Sequence, residues 1–406
     1  MSDIIWGYSI PVGNFEQGVS FLPILFPSLV TQHSSLIARP LLCYNFAMRV
    51  ALNGYFWDQP RTGSGQYLHH LWSALNQSPY NKHDSYSLLR PGIEAQTSDR
   101  VSGGVSPEGS GSKVQKLIWE QKGVALGAQR VRAHVLHIPY LSAPLVQPCR
   151  TVVTAHDVIP WVVPGYQVTF KMRLYLALSV AGVKRARFVL ADSEASRRDA
   201  IKALGLKPHK VHTVYLGMEA HPEYSPEQLD EIRARYGLPA HYAFYLGGFD
   251  RRKNVPLLLR AWRGALSELE GEWCDTREEK PLLAIGGAVP KPEGIFPDVK
   301  GEAASLGWDA PNAPVRFLGR IPEEDKPLLM AAARLFVYPS AYEGFGLDPL
   351  EAMSVGCPVV SSSGGSLAEV VGEGGILVPP SHEKAFSQAV VRAWTDPALR
   401  AKLSHG

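Results

Sequence analysis

From Met48 onward, short runs of β-branched and aromatic residues alternate with longer stretches in which apolar residues recur at helical spacing. MRVALNGYF (48–56), AHVLHIPY (133–140), RTVVTAHDV (150–158), ARFVLADS (186–193) and KVHTVYLG (210–217) read as strands, and SGQYLHHLWSAL (64–75) reads as a helix. A turn-rich passage, MEAHPEYSPEQ, follows, and then the pattern restarts. HYAFYLGGF, KPLLAIGG, APVRFLG, ARLFVYPS, CPVVSS and finally ILVPP are strands again, with helical patterns between them. Such alternation builds β-α-β units around parallel sheets. The expected fold is therefore α/β, with two doubly wound Rossmann-like domains facing a cleft, one over 48–217 and one over 225–406.

The segment before Met48 does not share this pattern. VSFLPILFPSLV (19–30) is apolar but short of the roughly 20 residues that a membrane span needs, and prolines interrupt it. No Lys or Arg precedes Arg39, so the positive start of a signal peptide is missing. Residues 1–47 are expected to be a disordered extension or a mis-called start. The Gly/Ser/Pro-rich stretch 91–113 and the insertions around 270–280 and 290–312 read as surface loops.

Length changes the picture little: 406 residues exceed what one core usually supports, as two domains require. A net charge of +3 gives no argument for nucleic acid, and 45% apolar residues are those of a soluble globular chain. Cys43, Cys149, Cys274 and Cys357 lie far apart, which suggests neither a zinc site nor a disulfide framework, and implies a reducing, cytoplasmic setting.

Open α/β sheets bind ligands beyond the carboxyl ends of their strands. There the sequence places Gly63-Ser64-Gly65, His137, His156-Asp157, Ser193-Glu194, Gly247-Gly248 with Arg251-Arg252-Lys253, Ser340, and the loop YEGFGLDPLEAM from Tyr342. In that loop Asp348-Pro349-x-Glu351 predicts a helix start near 349, with Asp348 as N-cap and Glu351 reciprocating. Gly344 and Gly346 let backbone N–H groups approach an anion at the helix N-terminus. Carboxylates on either side accept hydrogen bonds from hydroxyls, so the arrangement fits a nucleoside-diphosphate sugar. A capping role accounts equally well for Glu351 alone, but no such role accounts for Glu343.

YEGFGLDPLEAM, followed by GCPVVSSSGGSLAEVVGEGGILVPP, resembles the glutamate-x7-glutamate region of retaining GT-B glycosyltransferases of family 4. YLGGFDRRKNVPLLLRAW is similar to that family's phosphate-binding turn. TGSGQY, LIWEQ, VLHIPY, VVTAHDVIP and ADSEASRRD resemble its mannosyltransferase-like branch. The resemblance covers Met48 to about His382. It implies transfer of a hexose from a nucleoside-diphosphate sugar with retained configuration, with no metal and no further cofactor. Mannose from GDP-mannose is the expected donor, and the expected acceptor is a glycan or a lipid-linked hydroxyl.

By the same resemblance, Glu343 touches the donor hexose and Glu351 the ribose. Gly344, Phe345, Gly346 and Leu347 offer N–H groups to the diphosphate, while Arg252 and Lys253 neutralise it. His156 hydrogen-bonds the donor sugar, and Gly63 and Gly65 let a backbone N–H face the diphosphate or the acceptor. The family's further arginine, five residues before the lysine, is Gly248 here, with Arg251 as a substitute. His137 is expected to be a packing residue, and Trp119-Glu120-Gln121 fits the branch without a derivable role. Two other readings stay open: a nucleotide-sugar hydrolase or epimerase on this fold, and a non-catalytic nucleotide-sugar binder. KMRLYLALSVAGVKRARF (171–188), with Lys171, Arg173, Lys184, Arg185 and Arg187, is either a core helix with a basic end or a peripheral membrane contact. Family members usually continue with further helices beyond the point where this sequence stops.

Overall fold

The computed structural model describes residues 47–60, 62–77, 84–92, 96–97, 113–166, 169–218, 221–273 and 280–405. Apart from Ala47, the expected extension 1–47 lies outside the described residues, as do most of the expected loops 91–113 and 270–280.

The first half carries strands β1 (Arg49–Asn53), β2 (Ser85–Leu89), β3 (Gln96–Thr97), β4 (Val135–Ile138), β5 (Arg150–Ala155), β6 (Phe188–Ala191) and β7 (Val211–Thr213). They form one sheet in the order β3-β2-β1-β4-β5-β6-β7, parallel throughout except for the β2–β3 pair. The second half carries β8 (Tyr242–Leu246), β9 (Leu282–Gly286), β10 (Val315–Gly319), β11 (Leu335–Tyr338), β12 (Val359–Ser362) and β13 (Gly375–Val378). Their order is β10-β9-β8-β11-β12-β13, all parallel. Two doubly wound Rossmann-like domains are thus present.

A central parallel strand is covered by helices on both faces and therefore reads as an unbroken apolar run. All five residues of β8, YAFYL, are buried, as are all four of β11, LFVY. Around them Trp262, Phe336, Phe386 and Trp394 fill the C-terminal core.

Each sheet reverses direction once, between β1 and β4 in the first half and between β8 and β11 in the second. At such a switch point the connections leave in opposite directions and open a crevice at the strands' carboxyl ends. The two crevices organise everything that follows.

Candidate active site

The C-terminal crevice holds a buried charge cluster. Asp250 follows β8 and caps the turn Arg251–Lys253, accepting from the Arg252 amide, so the next two side chains are delivered to the switch point. Glu343 follows β11 and is only 8% exposed. Its carboxylate lies 2.5 Å from Arg252 and 2.8 Å from Lys253, and it accepts from the Ser340 hydroxyl at 2.7 Å and the Tyr338 hydroxyl at 2.9 Å. Burial alone would raise the Glu343 pKa, but Lys253 and Arg252 outweigh it and hold it at about 2. Lys253, 7% exposed, donates to the Tyr338 hydroxyl and stands 3.6 Å from Asp348. Burial opposes the charge of Arg252, yet Glu343 and Asp250 raise its pKa. Two cations are therefore fixed in place before any ligand arrives.

The loop after Glu343 packs against the other domain. Ser193 and Ser196 both donate hydroxyl hydrogen bonds of 2.7 Å to the Gly344 carbonyl. A Cβ at Gly344 would lie 2.2 Å from the His156 carbonyl oxygen, so only glycine permits this approach. Tyr342 donates to Asp199 at 2.8 Å, and Tyr166 donates to Asp250. The carboxylate of Glu369 accepts the amides of Glu194 and Ala195 at 2.8 and 3.1 Å, across the interface at the start of the helix Glu194–Leu204.

His156 ends β5, and both of its ring nitrogens are engaged: Nδ1 with Asp192 at 2.7 Å and Nε2 with the Pro139 carbonyl at 3.1 Å. Burial works against a charged imidazole, but Asp192, the Pro139 carbonyl and Asp157 together raise its pKa. Both nitrogens donating is the arrangement of an imidazolium.

Residues 62–221 match the family model described as Glycosyltransferase Family 4, and residues 240–396 match the one described as Glycosyl transferases group 1. The O-antigen chain mannosyltransferase B of Escherichia coli is 34% identical over 254 residues, 62% of this chain and 63% of that protein. Both halves of the chain thus match glycosyltransferase family models, and the chain spans less than two thirds of the length of the curated relatives it matches. Among solved structures, the chain resembles sucrose-phosphate synthase from Thermosynechococcus elongatus with a TM-score of 0.65 at 21% identity, covering 88% and 92% of the two chains. It also resembles HepE of Anabaena in complex with UDP and glucose, with a TM-score of 0.63 at 20% identity and the same coverage. These likenesses place the chain in the GT-B fold.

The residues that the family pattern singles out fall into two groups. Glu343, Arg252 and Lys253 converge, facing the His156 loop. Others sit differently from expectation. The helix of the glutamate loop runs over Leu347–Ser354 and is capped by Gly346, at φ 106°, with no side-chain cap. Asp348 is therefore not the N-cap: its carboxylate accepts from Tyr338 at 2.7 Å. Glu351 closes no capping box, and burial, aided by Asp348, raises its pKa to about 7. The Gly65 amide donates to Thr62 Oγ1 at 3.1 Å within its own loop, and a Cβ there would lie 2.0 Å from the Gln59 carbonyl oxygen, so this glycine serves local packing. Gly63 opens the helix Gly63–Gln77 with open space around it.

The backbone N–H groups of Phe345, Gly346 and Leu347 make no hydrogen bond to a backbone carbonyl among the described residues. Arg251 is exposed and forms no ion pair among them. His137 contacts Thr154 at 2.9 Å, and burial depresses its pKa to about 4. Sequence reasoning missed Tyr338, Asp250, Asp192 and Glu369. The first two flank the Glu343 and Lys253 turns. Asp192 was within reach of register alone, because Ala155 pairs with Ala191, which makes His156 and Asp192 neighbours.

Proposed function

We propose that this chain transfers a hexose, mannose in the first instance, from a nucleoside-diphosphate sugar to a hydroxyl of a glycan or lipid-linked acceptor, with retention at the anomeric carbon. The observation that carries this reading is the buried Lys253–Arg252–Glu343 cluster at the C-terminal switch point, facing His156. The mannosyltransferase relative supports mannose, with GDP-mannose as the donor to test first. The UDP in the HepE complex supports a nucleotide ligand for this fold.

In this reading the diphosphate lies between Arg252, Lys253 and the amides of residues 344–347. Arg252 offers a fork to two oxygens and Lys253 a point charge, and together they stabilise the charge that grows as the glycosidic bond breaks. The acceptor oxygen bonds to the anomeric carbon, the bond to the diphosphate breaks, and the acceptor proton passes to the departing phosphate oxygen. Glu343 orients the hexose through its hydroxyls and Glu351 accepts from the ribose. His156, held by Asp192 and Pro139, lends a fixed positive charge to the leaving side.

Peripheral contact with an anionic membrane belongs to the same proposal. Phe170, Met172 and Leu174 are exposed next to Lys171 and Arg173 on the helix Phe170–Arg185. Among the described residues no helix is long and apolar enough to cross a membrane.

The test is thermal stabilisation by a panel of nucleotide sugars, followed by product analysis of the best donor with and without acceptor alcohols. Stabilisation by GDP-mannose and an α-linked product are expected. Stabilisation by no nucleotide sugar would refute the reading, as would release of free hexose alone.

A further inference from the structure

The N-terminal switch point contains a second, separate constellation. Tyr55 and Phe56 follow β1, Tyr140 and Ser142 follow β4, and Tyr175 comes from the helix Phe170–Arg185. Their rings form a box. The Lys116 ammonium rests inside it, 5.6, 5.1, 5.5 and 5.6 Å from the centroids of Tyr55, Phe56, Tyr140 and Tyr175.

Glu120 lies against the box in a π-helical turn, Trp119–Gly123, and is 1% exposed. Its Oε1 accepts from the Tyr175 hydroxyl at 3.1 Å and lies 3.6 Å from Lys116. No hydrogen bond of good geometry reaches its Oε2 or the adjacent, buried Ser142 Oγ among the described residues, although the Ser142 and Tyr140 hydroxyls lie close enough to the carboxylate to offset part of the rise in pKa that burial causes.

A buried carboxylate oxygen without a partner is costly, and it persists where something other than stability selects it. Its two sequence neighbours are fully accounted for. Trp119 donates to Asn53 at 2.9 Å, and Gln121 bridges the Ala143 carbonyl and the Leu145 amide. Together they hold the turn so that Glu120 faces the rings.

We infer that the Tyr55–Phe56–Tyr140–Tyr175 box with Glu120 is the acceptor subsite, and that it takes a pyranose ring. This rests on the glycosyltransferase reading above. Aromatic walls stack on the C–H face of a sugar, while Glu120 Oε2 and Ser142 Oγ meet its hydroxyls. An alkyl chain would leave the carboxylate unsatisfied, and a phosphate would be repelled by it. Lys116 is about a quarter exposed on a flexible four-carbon stem, so its ammonium withdraws to solvent when the ring enters. The place also suits the role, for it is the switch-point crevice of the domain opposite the charge cluster.

The experiment uses the full chain with GDP and methyl α-mannopyranoside in saturation-transfer NMR, and octyl α-mannopyranoside as acceptor in steady-state assays. Glu120→Gln is expected to abolish the mannoside signal recorded with GDP saturating, and to raise the acceptor KM at least tenfold with the donor KM within twofold. Tyr175→Phe keeps the ring but frees the carboxylate. It should give an intermediate rise, and it carries the test if Glu120→Gln fails to fold. Unchanged acceptor KM in the folded variants would overturn the assignment. So would a wild-type chain that binds GDP without a mannoside signal. A wild-type chain that binds no nucleotide at all would instead bring down the reading beneath it.

Discussion

Replacing Glu343 by Gln keeps the side chain's shape and removes one charge from a cluster that is closed to water. In the folded protein this carboxyl titrates at about 2 instead of 4.5. At about 1.36 kcal/mol per unit, the ion pairs with Lys253 and Arg252 contribute about 3 kcal/mol of stability at neutral pH. The sign follows from the depressed value. The contribution is complete above pH 4.5 and is lost as pH falls toward 2. With 2–4 °C of melting temperature per kcal/mol in domains of this size, Glu343→Gln should melt about 6–12 °C lower at pH 7. The gap to wild type should shrink below pH 4.5. Calorimetry at pH 7 and pH 3.5 provides the comparison, and GDP supplies a further arm: a diphosphate replaces the missing counter-charge, so it should stabilise the variant more than the wild type. Melting within 1 °C of wild type at pH 7, or a gap independent of pH, would refute the argument.

Lys253→Ala should lower kcat/KM for the donor by about ten- to a hundredfold, corresponding to about 1.5–3 kcal/mol for a hydrogen bond to a charged group, as read by initial rates at varied donor. Glu351→Gln should raise the melting temperature at pH 8 and change it little at pH 4.5. The native carboxyl titrates at about 7 against 4.5 unfolded, so its ionisation costs stability progressively across that interval, by about 1 kcal/mol or more. Donor affinity should fall in the same variant, which titration calorimetry would register. Gly344→Ala should cost activity more than tenfold, because a Cβ 2.2 Å from the His156 carbonyl oxygen forces the two halves apart. Small-angle scattering would show the wider cleft.

The central strands were legible because parallel strands buried on both faces carry long apolar runs, as in YAFYL and LFVY. β2, with the sequence SYSLL, was not anticipated: its serines break the apolar run, and it is held by pairing with β1 over its full length. The glutamate loop shows how local rules yield to tertiary ones. Asp348-Pro349-x-Glu351 satisfies the capping pattern, but the Tyr338 hydroxyl and the Lys253 ammonium nearby offer Asp348 stronger partners than its own helix amides do. Glycine at a left-handed φ then ends the turn instead. Gly65 misled for a similar reason, since sequence cannot distinguish a glycine that admits a ligand from one that admits the chain's own Gln59 carbonyl. The Glu120 box was out of reach because its rings come from three separate places along the chain and its carboxylate from a fourth.

The helix Glu194–Leu204 begins in one domain but is finished by the other. Ser193 covers the Ser196 amide from within, and Glu369 covers those of Glu194 and Ala195 from across the cleft. Whenever the halves part, two peptide groups at the head of that helix lose their acceptor and meet water. Their exchange with deuterated solvent is therefore a clock built into the backbone: it advances only while the molecule is open. A donor that holds the domains together would slow these two amides and leave the rest of the helix unchanged, so closure becomes measurable residue by residue without a label or a product.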